Sequence, residues 1–258
     1  DRGFIFGDGI YEVVPVYGGR PFRIAEHMAR LKRSLAKVRI ANPRDAAGWT
    51  HLIEQLVQRH PWPDQVVYLQ VTRGVARRDH AFPEGVAPTV FAMSNPFVHV
   101  PPAVRARGIA VVTLPDERWL HCDIKSTSLL GNVLARQAAV DAGAAECVMF
   151  RNGFMTEGSA SNIWVVRDGR VLGAPRDHLV LEGIRVGLME ALCAACGLPL
   201  EFRNITREEV FTADELLSTS ATKEVLPITS IDGRPVDTGV PGPIYARLYA
   251  AYQEAKSA

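Results

Sequence analysis

The sequence predicts an α+β fold built from two mixed α/β domains, on three observations. Runs rich in β-branched and aromatic residues meet at tight turns, Gly18-Gly19, Asn152-Gly153 and Asp168-Gly169, the signature of hairpins. Segments with helical spacing of apolar residues are interspersed among these runs, which argues for mixed sheets with antiparallel pairing and against a doubly wound sheet. Prolines then interrupt the stretch from Asn95-Pro96 to Pro101-Pro102, where regular structure should break. That break divides a smaller N-terminal domain over 1–100 from a larger one over 101–258.

Composition bounds the rest. A chain of 258 residues, 47% hydrophobic and 22% charged, can bury a sizeable core. Its formal net charge of +1, with acids and bases intermixed, indicates neither a nucleic-acid stripe nor a basic membrane-binding patch. The absence of a long apolar run and of secretory signal features leads to the expectation of a cytoplasmic protein. The chain starts at Asp1 inside what reads as a motif, so a further strand is expected before it. No His/Cys cluster has zinc spacing, and no metal is expected. Cys193 and Cys196 precede Gly197, a C-terminal cap, where the helix dipole opposes thiolate formation; they read as core-facing, not redox-active.

Taken in order, residues 1–17 begin as a glycine-punctuated turn and become a strand ending at Tyr17, with Tyr11 on the face of Tyr17 and opposite Ile10 and Val14. Over 23–38, Ile24, Met28, Leu31, Leu35 and Val38 follow helical spacing, with Arg30 beside the apolar seam. A second helix is predicted over 49–59, and strands over 66–72 and 89–93. The loop between those strands is dense in charge and holds Arg78 and His80. Beyond the boundary come a strand over 109–113, a helix over 133–140 and hairpins at 151–153 and 167–170. Helices over 184–196 and 208–213, a strand ending at Ser220 and a helix after Pro243 complete the reading.

Two stretches carry chemistry. Lys125 lies in Trp119-Leu120-His121-Cys122-Asp123-Ile124-Lys125-Ser126-Thr127-Ser128, nearly free of other charge. Desolvation there would disfavour the ammonium form and make the amine a nucleophile toward carbonyls, although a lone lysine near a helix start is more often a surface residue. Thirty-two positions on, in Met155-Thr156-Glu157-Gly158-Ser159-Ala160-Ser161-Asn162, small and hydroxyl residues enclose one carboxylate. Lys125 and Glu157 together resemble the signature of the fold type IV pyridoxal-phosphate enzymes, aminotransferase class IV, and the resemblance spans nearly the whole chain. Within that family the Tyr68 strand followed by Arg78-x-His80 is most similar to the D-amino-acid aminotransferase pattern.

The resemblance implies a cofactor site between two domains, with pyridoxal 5'-phosphate carried as an internal aldimine on Lys125. Lysine would then serve as amine and as acid/base at Cα, while Glu157 keeps the pyridinium nitrogen protonated. The phosphate would meet Arg30, backbone amides at Gly183-Ile184-Arg185 and the turn Ser220-Ala221-Thr222, with Leu181 packed near the ring. Arg185 stands where many relatives have threonine, and Ala221 lacks a hydroxyl common in that turn. Arg78, His80 and Tyr11, beside Tyr68, would trap the substrate carboxylate. The implied reaction is transamination of D-amino acids such as D-alanine, D-aspartate or D-glutamate with 2-oxo acids such as 2-oxoglutarate or pyruvate, by a homodimer whose loops cross into the neighbouring site. Three alternatives stay open from the sequence: a branched-chain L-amino-acid transaminase, a β-eliminating lyase of the aminodeoxychorismate type, and a non-catalytic protein that kept the fold.

Overall fold

A computed structural model describes residues 1–257, apart from the side chains of Arg185 and Ser257. Its backbone falls into two units: residues 1–98 with 124–129, and residues 99–123 with 130 onward. The break after Val98 lies inside the proline-interrupted stretch. The Lys125 segment, however, belongs with the first unit and not with the later domain in which the sequence reading places it. The reason is backbone pairing: Ser126 bridges to Ile10, the Lys125 carbonyl accepts the Tyr11 N–H at 3.0 Å, and the Gly9 carbonyl accepts the Thr127 N–H at 2.9 Å.

The first unit runs α1 (Arg2–Phe6), β1 (Gly9–Tyr17), β2 (Arg20–Pro21), α2 (Ile24–Lys37), α3 (Ala46–Gln58), β3 (Gln65–Thr72) and β4 (Thr89–Pro96). Its sheet has the order β2-β1-β3-β4 and is antiparallel throughout. The expected opening turn is a short helix instead. Asp1 caps it by accepting the Gly3 N–H at 2.7 Å, and Gly7, at φ 65°, ends it in the left-handed conformation. Met28, Leu31 and Leu35 of α2 and Trp49, Ile53 and Val57 of α3 cluster with Ile10, Val14, Val67, Leu69 and Val71 on one face of the sheet. Each such side chain contributes roughly 1.5–3 kcal/mol by leaving water.

The second unit runs α4 (Pro102–Arg107), β5 (Ile109–Pro115), α5 (Leu130–Asp141), β6 (Glu146–Arg151), β7 (Phe154–Met155), β8 (Asn162–Arg167) and β9 (Arg170–Gly173). It continues with α6 (Ile184–Ala195), β10 (Leu200–Phe202), α7 (Arg207–Phe211), β11 (Glu215–Ser220), β12 (Glu224–Ile231), β13 (Arg234–Pro235) and α8 (Pro243–Ser257). The strand order is β10-β9-β8-β11-β12-β5-β6-β7, with β13 on β12. Pairing is parallel at β10/β9, β12/β5 and β5/β6 and antiparallel elsewhere, so the sheet is mixed as expected.

Two elements absent from the sequence reading have local causes. Prolines suggest a break at 101–102, yet Pro102 begins α4, a position where its missing N–H costs nothing. β12 is hidden by Pro227, which interrupts a strand pattern although the chain remains extended through it. At the far end, Glu215 of β11 caps α8 by accepting the Ile244 and Tyr245 N–H groups at 2.8 Å each. Gly242 allows that approach, since a Cβ there would lie 2.2 Å from the Glu215 carboxyl carbon. Cys193 is buried and Cys196 half-buried at the end of α6, ahead of Gly197 at φ 62°.

Candidate active site

In the first unit the bridge to β1 fixes the backbone on both sides of Lys125. The Thr127 and Ser128 hydroxyls both donate to the Gly7 carbonyl, at 2.9 and 3.0 Å, and the Lys125 N–H points to the buried Ser34 hydroxyl of α2. The lysine itself is half-buried, with Nζ 4.2 Å from the centre of the Tyr11 ring. Tyr11 stacks on Tyr68 at 5.6 Å, and the Tyr68 hydroxyl donates to Gln70 at 2.6 Å. Burial and then the neighbouring Tyr11 push the Tyr68 phenol above its ordinary range. Among the described residues, no carboxylate lies within ion-pair distance of Nζ. An amine so placed can form a covalent bond without first breaking a salt bridge.

On the other face of β1 stands a group the sequence reading misses. Glu12, fully buried, accepts Arg30 Nε and Nη2 at 2.8 and 2.7 Å and pairs with His27 Nδ1 at 2.8 Å. Burial by itself would raise the Glu12 carboxyl, but the Arg30 charge and the hydrogen bonds from Arg30 and His27 outweigh it and hold the group down at about 2. Arg30 therefore has two of its nitrogens committed to a buried carboxylate. The signal is present in the sequence, because Glu12 shares the inward face of β1 with Ile10 and Val14, where an acid requires a partner.

Arg78 and His80 lie elsewhere in this unit. Both are exposed, and both face Phe6: the Arg78 guanidinium carbon is 5.4 Å from that ring's centre and the His80 ring is 5.3 Å away. Arg2 fastens this part of the loop by donating Nη1 to the Asp79 carbonyl at 2.5 Å, while Asp8 accepts Arg2 Nε and Arg73 Nε at 2.8 Å each. Among the described residues no hydrogen bond or ring contact joins Arg78 or His80 to Tyr11. The Arg2 clamp keeps this part of the loop beside α1, while Tyr11 sits in mid-strand, paired with Gln70.

The second unit holds Glu157 in a buried network. Arg118 Nη1 donates to Oε1, and the Leu181 N–H and Asn162 Nδ2 donate to Oε2 at 3.1 and 3.3 Å. Arg118 in turn grips Asp116 with Nε and Nη2 at 2.9 and 2.8 Å, and Asp116 also takes the Thr156 hydroxyl and Arg151 Nη2. Burial pushes the Glu157 carboxyl up to about 7, and the Arg118 charge and the hydrogen bonds from Arg118 and Leu181 offset that only in part. The sequence reading offers no cation of the protein beside Glu157. Arg118 is one, and the alternation Asp116-x-Arg118 at the end of β5 is its only mark. Leu181 acts here through its backbone, giving its N–H to Glu157 and its carbonyl to Asn162 at 3.0 Å.

Two further stretches of this unit hold residues expected at the phosphate. Gly183 precedes α6 with Ile184 in its first turn, and among the described residues no side chain caps it. The Arg185 side chain, expected beside it, lies outside the described residues. Ser220, which ends β11, and Ala221 after it are half-buried, and the Ser220 hydroxyl accepts the Lys223 N–H at 3.1 Å.

A family model described as amino-transferase class IV matches residues 9–231, a span that contains both Lys125 and Glu157. The chain belongs to amino-transferase class IV. The cofactor of this class is pyridoxal 5'-phosphate, and the fold is type IV. Over 98% of its length the chain is 40% identical to a D-alanine aminotransferase of Bacillus licheniformis, covering 89% of that protein. It is 36% identical over the same share to a D-alanine aminotransferase of Staphylococcus aureus, covering 90% of it. Among solved structures, the branched-chain amino acid aminotransferase of Escherichia coli superposes with a TM-score of 0.92 at 22% identity, covering 98% of this chain and 87% of that one, which speaks to the class IV fold alone.

Proposed function

We propose that this class IV enzyme transaminates D-amino acids, D-alanine, D-aspartate and D-glutamate among them, with 2-oxoglutarate or pyruvate as acceptor. The full-length likeness to proteins named D-alanine aminotransferase carries this reading. Pyridoxal phosphate supplies an aldehyde and an electron-withdrawing ring, and the residues present suit it: an amine without an acid partner, and a buried carboxylate that a cationic ring nitrogen would relieve. Lys125 would hold the cofactor through its amine and would move the proton at the substrate Cα. Glu157, oriented by Arg118, Asn162 and Leu181, would hold the proton on the ring nitrogen. The phosphate is assigned to the start of α6 at Ile184, with Arg185, to the turn at Ser220 and Ala221, and to Arg30, whose guanidinium also pairs with Glu12. A screen of matched D and L donors tests the assignment, and a preference for L-valine or L-leucine would end it in favour of a branched-chain enzyme.

The proposal extends to a homodimer. α5 leaves Leu130, Val133 and Leu134 exposed at 71%, 58% and 62%, an apolar stripe on one helix face that a second copy would cover. Leu134→Glu should shift the protein toward monomer in sedimentation velocity, and an unchanged sedimentation coefficient would exclude this face. In a dimer, Arg78 and His80, exposed beside Phe6, are available to the neighbouring subunit's substrate. Arg78→Ala should then raise the Michaelis constant for D-alanine and D-aspartate alike by about tenfold or more, the loss of one charge-assisted contact, while leaving the cofactor absorbance unchanged. Unaltered D-donor kinetics would remove Arg78 from the site. Among the described residues no helix is long and apolar enough to cross a membrane, and a cytoplasmic location belongs to the same proposal.

A further inference from the structure

The hairpin joining β11 to β12 has a feature that hairpins ordinarily avoid. Ser220 pairs with Glu224 across a loop of Ala221, Thr222 and Lys223. Three-residue hairpin loops commonly require one left-handed residue, and glycine usually provides it. Here no residue of the loop is left-handed; instead Glu224, the strand residue that closes it, takes that conformation, at φ 62°. A long side chain in this region is disfavoured by contact of Cβ with the backbone, so something must hold it.

What holds it is its own carboxylate. Glu224 is 1% exposed, and it accepts Arg105 Nη2 at 2.6 Å, Lys256 Nζ at 2.7 Å and Gln253 Nε2 at 3.3 Å. Arg105 comes from α4, where its guanidinium also donates to the Val225 carbonyl at 2.9 Å and lies 4.6 Å from the centre of the Tyr249 ring of α8. Lys256 and Gln253 come from α8. Two helices therefore converge on one carboxylate, and that carboxylate sits at the residue that sets the shape of the turn. An ion cluster serving only to dock α4 and α8 would not need its acid at a disfavoured φ. A turn serving only to reverse the chain would take glycine.

We propose that Glu224, clamped by Arg105 and Lys256, is a positioning residue that fixes the backbone amides of the Ser220–Thr222 turn for the cofactor phosphate. This rests on the reading that the turn meets the phosphate. Glu224 does not touch the ligand. With two cations around it, the cluster carries a surplus positive charge and does not oppose an anion at the turn.

The test titrates cofactor-free protein with pyridoxal phosphate and separately with pyridoxal, which lacks the phosphate, and follows tryptophan fluorescence. E224G keeps the left-handed backbone available while removing the carboxylate, and it should weaken pyridoxal phosphate binding by about tenfold while pyridoxal binding stays as in the wild type. K256M, which removes one partner from α8, should act in the same direction by about threefold. A wild-type ratio of the two affinities in folded E224G overturns the proposal; should E224G fail to fold, a wild-type ratio in K256M overturns it. A221P, which deletes one amide of the turn, separates the two levels of inference. If A221P leaves the ratio unchanged, the phosphate reading of the turn falls and the proposal with it. If A221P lowers the ratio and E224G does not, the turn keeps its role and only the positioning by Glu224 is lost.

Discussion

Lys125→Ala should leave a folded protein that has lost turnover by about three to four powers of ten or more, since one side chain is asked both to hold the cofactor and to transfer the Cα proton. The fold should survive because the segment is held through its backbone and hydroxyls, by the Tyr11 N–H on the Lys125 carbonyl and by Thr127 and Ser128 on Gly7, with no ion pair to break at Nζ. Borohydride reduction of the wild-type enzyme followed by peptide mapping should place the pyridoxyl group on Lys125. A label on any other lysine, or appreciable turnover in the alanine variant with normal cofactor absorbance, would contradict the assignment.

The helices and strands of this chain are legible wherever one face repeats, as in α2 with Met28, Leu31 and Leu35 or β3 with Val67, Leu69 and Val71. Elements escape where punctuation misleads. Glycines at 3 and 7 suggest a turn but permit a capped helix, Pro102 starts a helix, and Pro227 lies inside a strand. Lys125 and Glu157 stand out because each is a charge in a run with little or no other charge, and that is a local property. Their partners are not local. Arg118 meets Glu157 across 39 residues, Arg30 meets Glu12 across 18, and Arg105 meets Glu224 across 119. A single sequence carries no record of such pairings beyond the rule that a buried acid needs a cation. Applied to Glu12 on its inward-facing strand position, that rule by itself points to Arg30 as a carboxylate partner, whatever else the guanidinium meets.

Glu157→Gln should lower turnover by about one to two powers of ten, the loss of one charge-assisted hydrogen bond of roughly 1.5–3 kcal/mol if it acts mainly in the transition state, with far less effect on cofactor occupancy. Glutamine keeps an oxygen for the Leu181 N–H, and Arg118 remains gripped by both oxygens of Asp116, so the pocket should hold its shape. The same variant should alter the stability of the cofactor-free protein in a direction fixed by the raised carboxyl. The folded state releases the Glu157 proton near pH 7, whereas the unfolded chain releases it near 4.5. Between those values the folded protein carries a proton that the unfolded chain has lost. The contribution to stability is therefore complete below about pH 4.5 and disappears as the pH rises through 7, a span worth roughly 3 kcal/mol. Urea unfolding of the cofactor-free protein across that range should show this decline in the wild type and a flatter profile in Glu157→Gln. Saturation with pyridoxal phosphate should also flatten the wild-type profile, because a cationic ring nitrogen favours the ionised carboxylate and brings its pKa back down. Wild-type turnover in the glutamine variant, or an identical pH profile with and without Glu157, would leave the carboxylate a purely structural partner of Arg118.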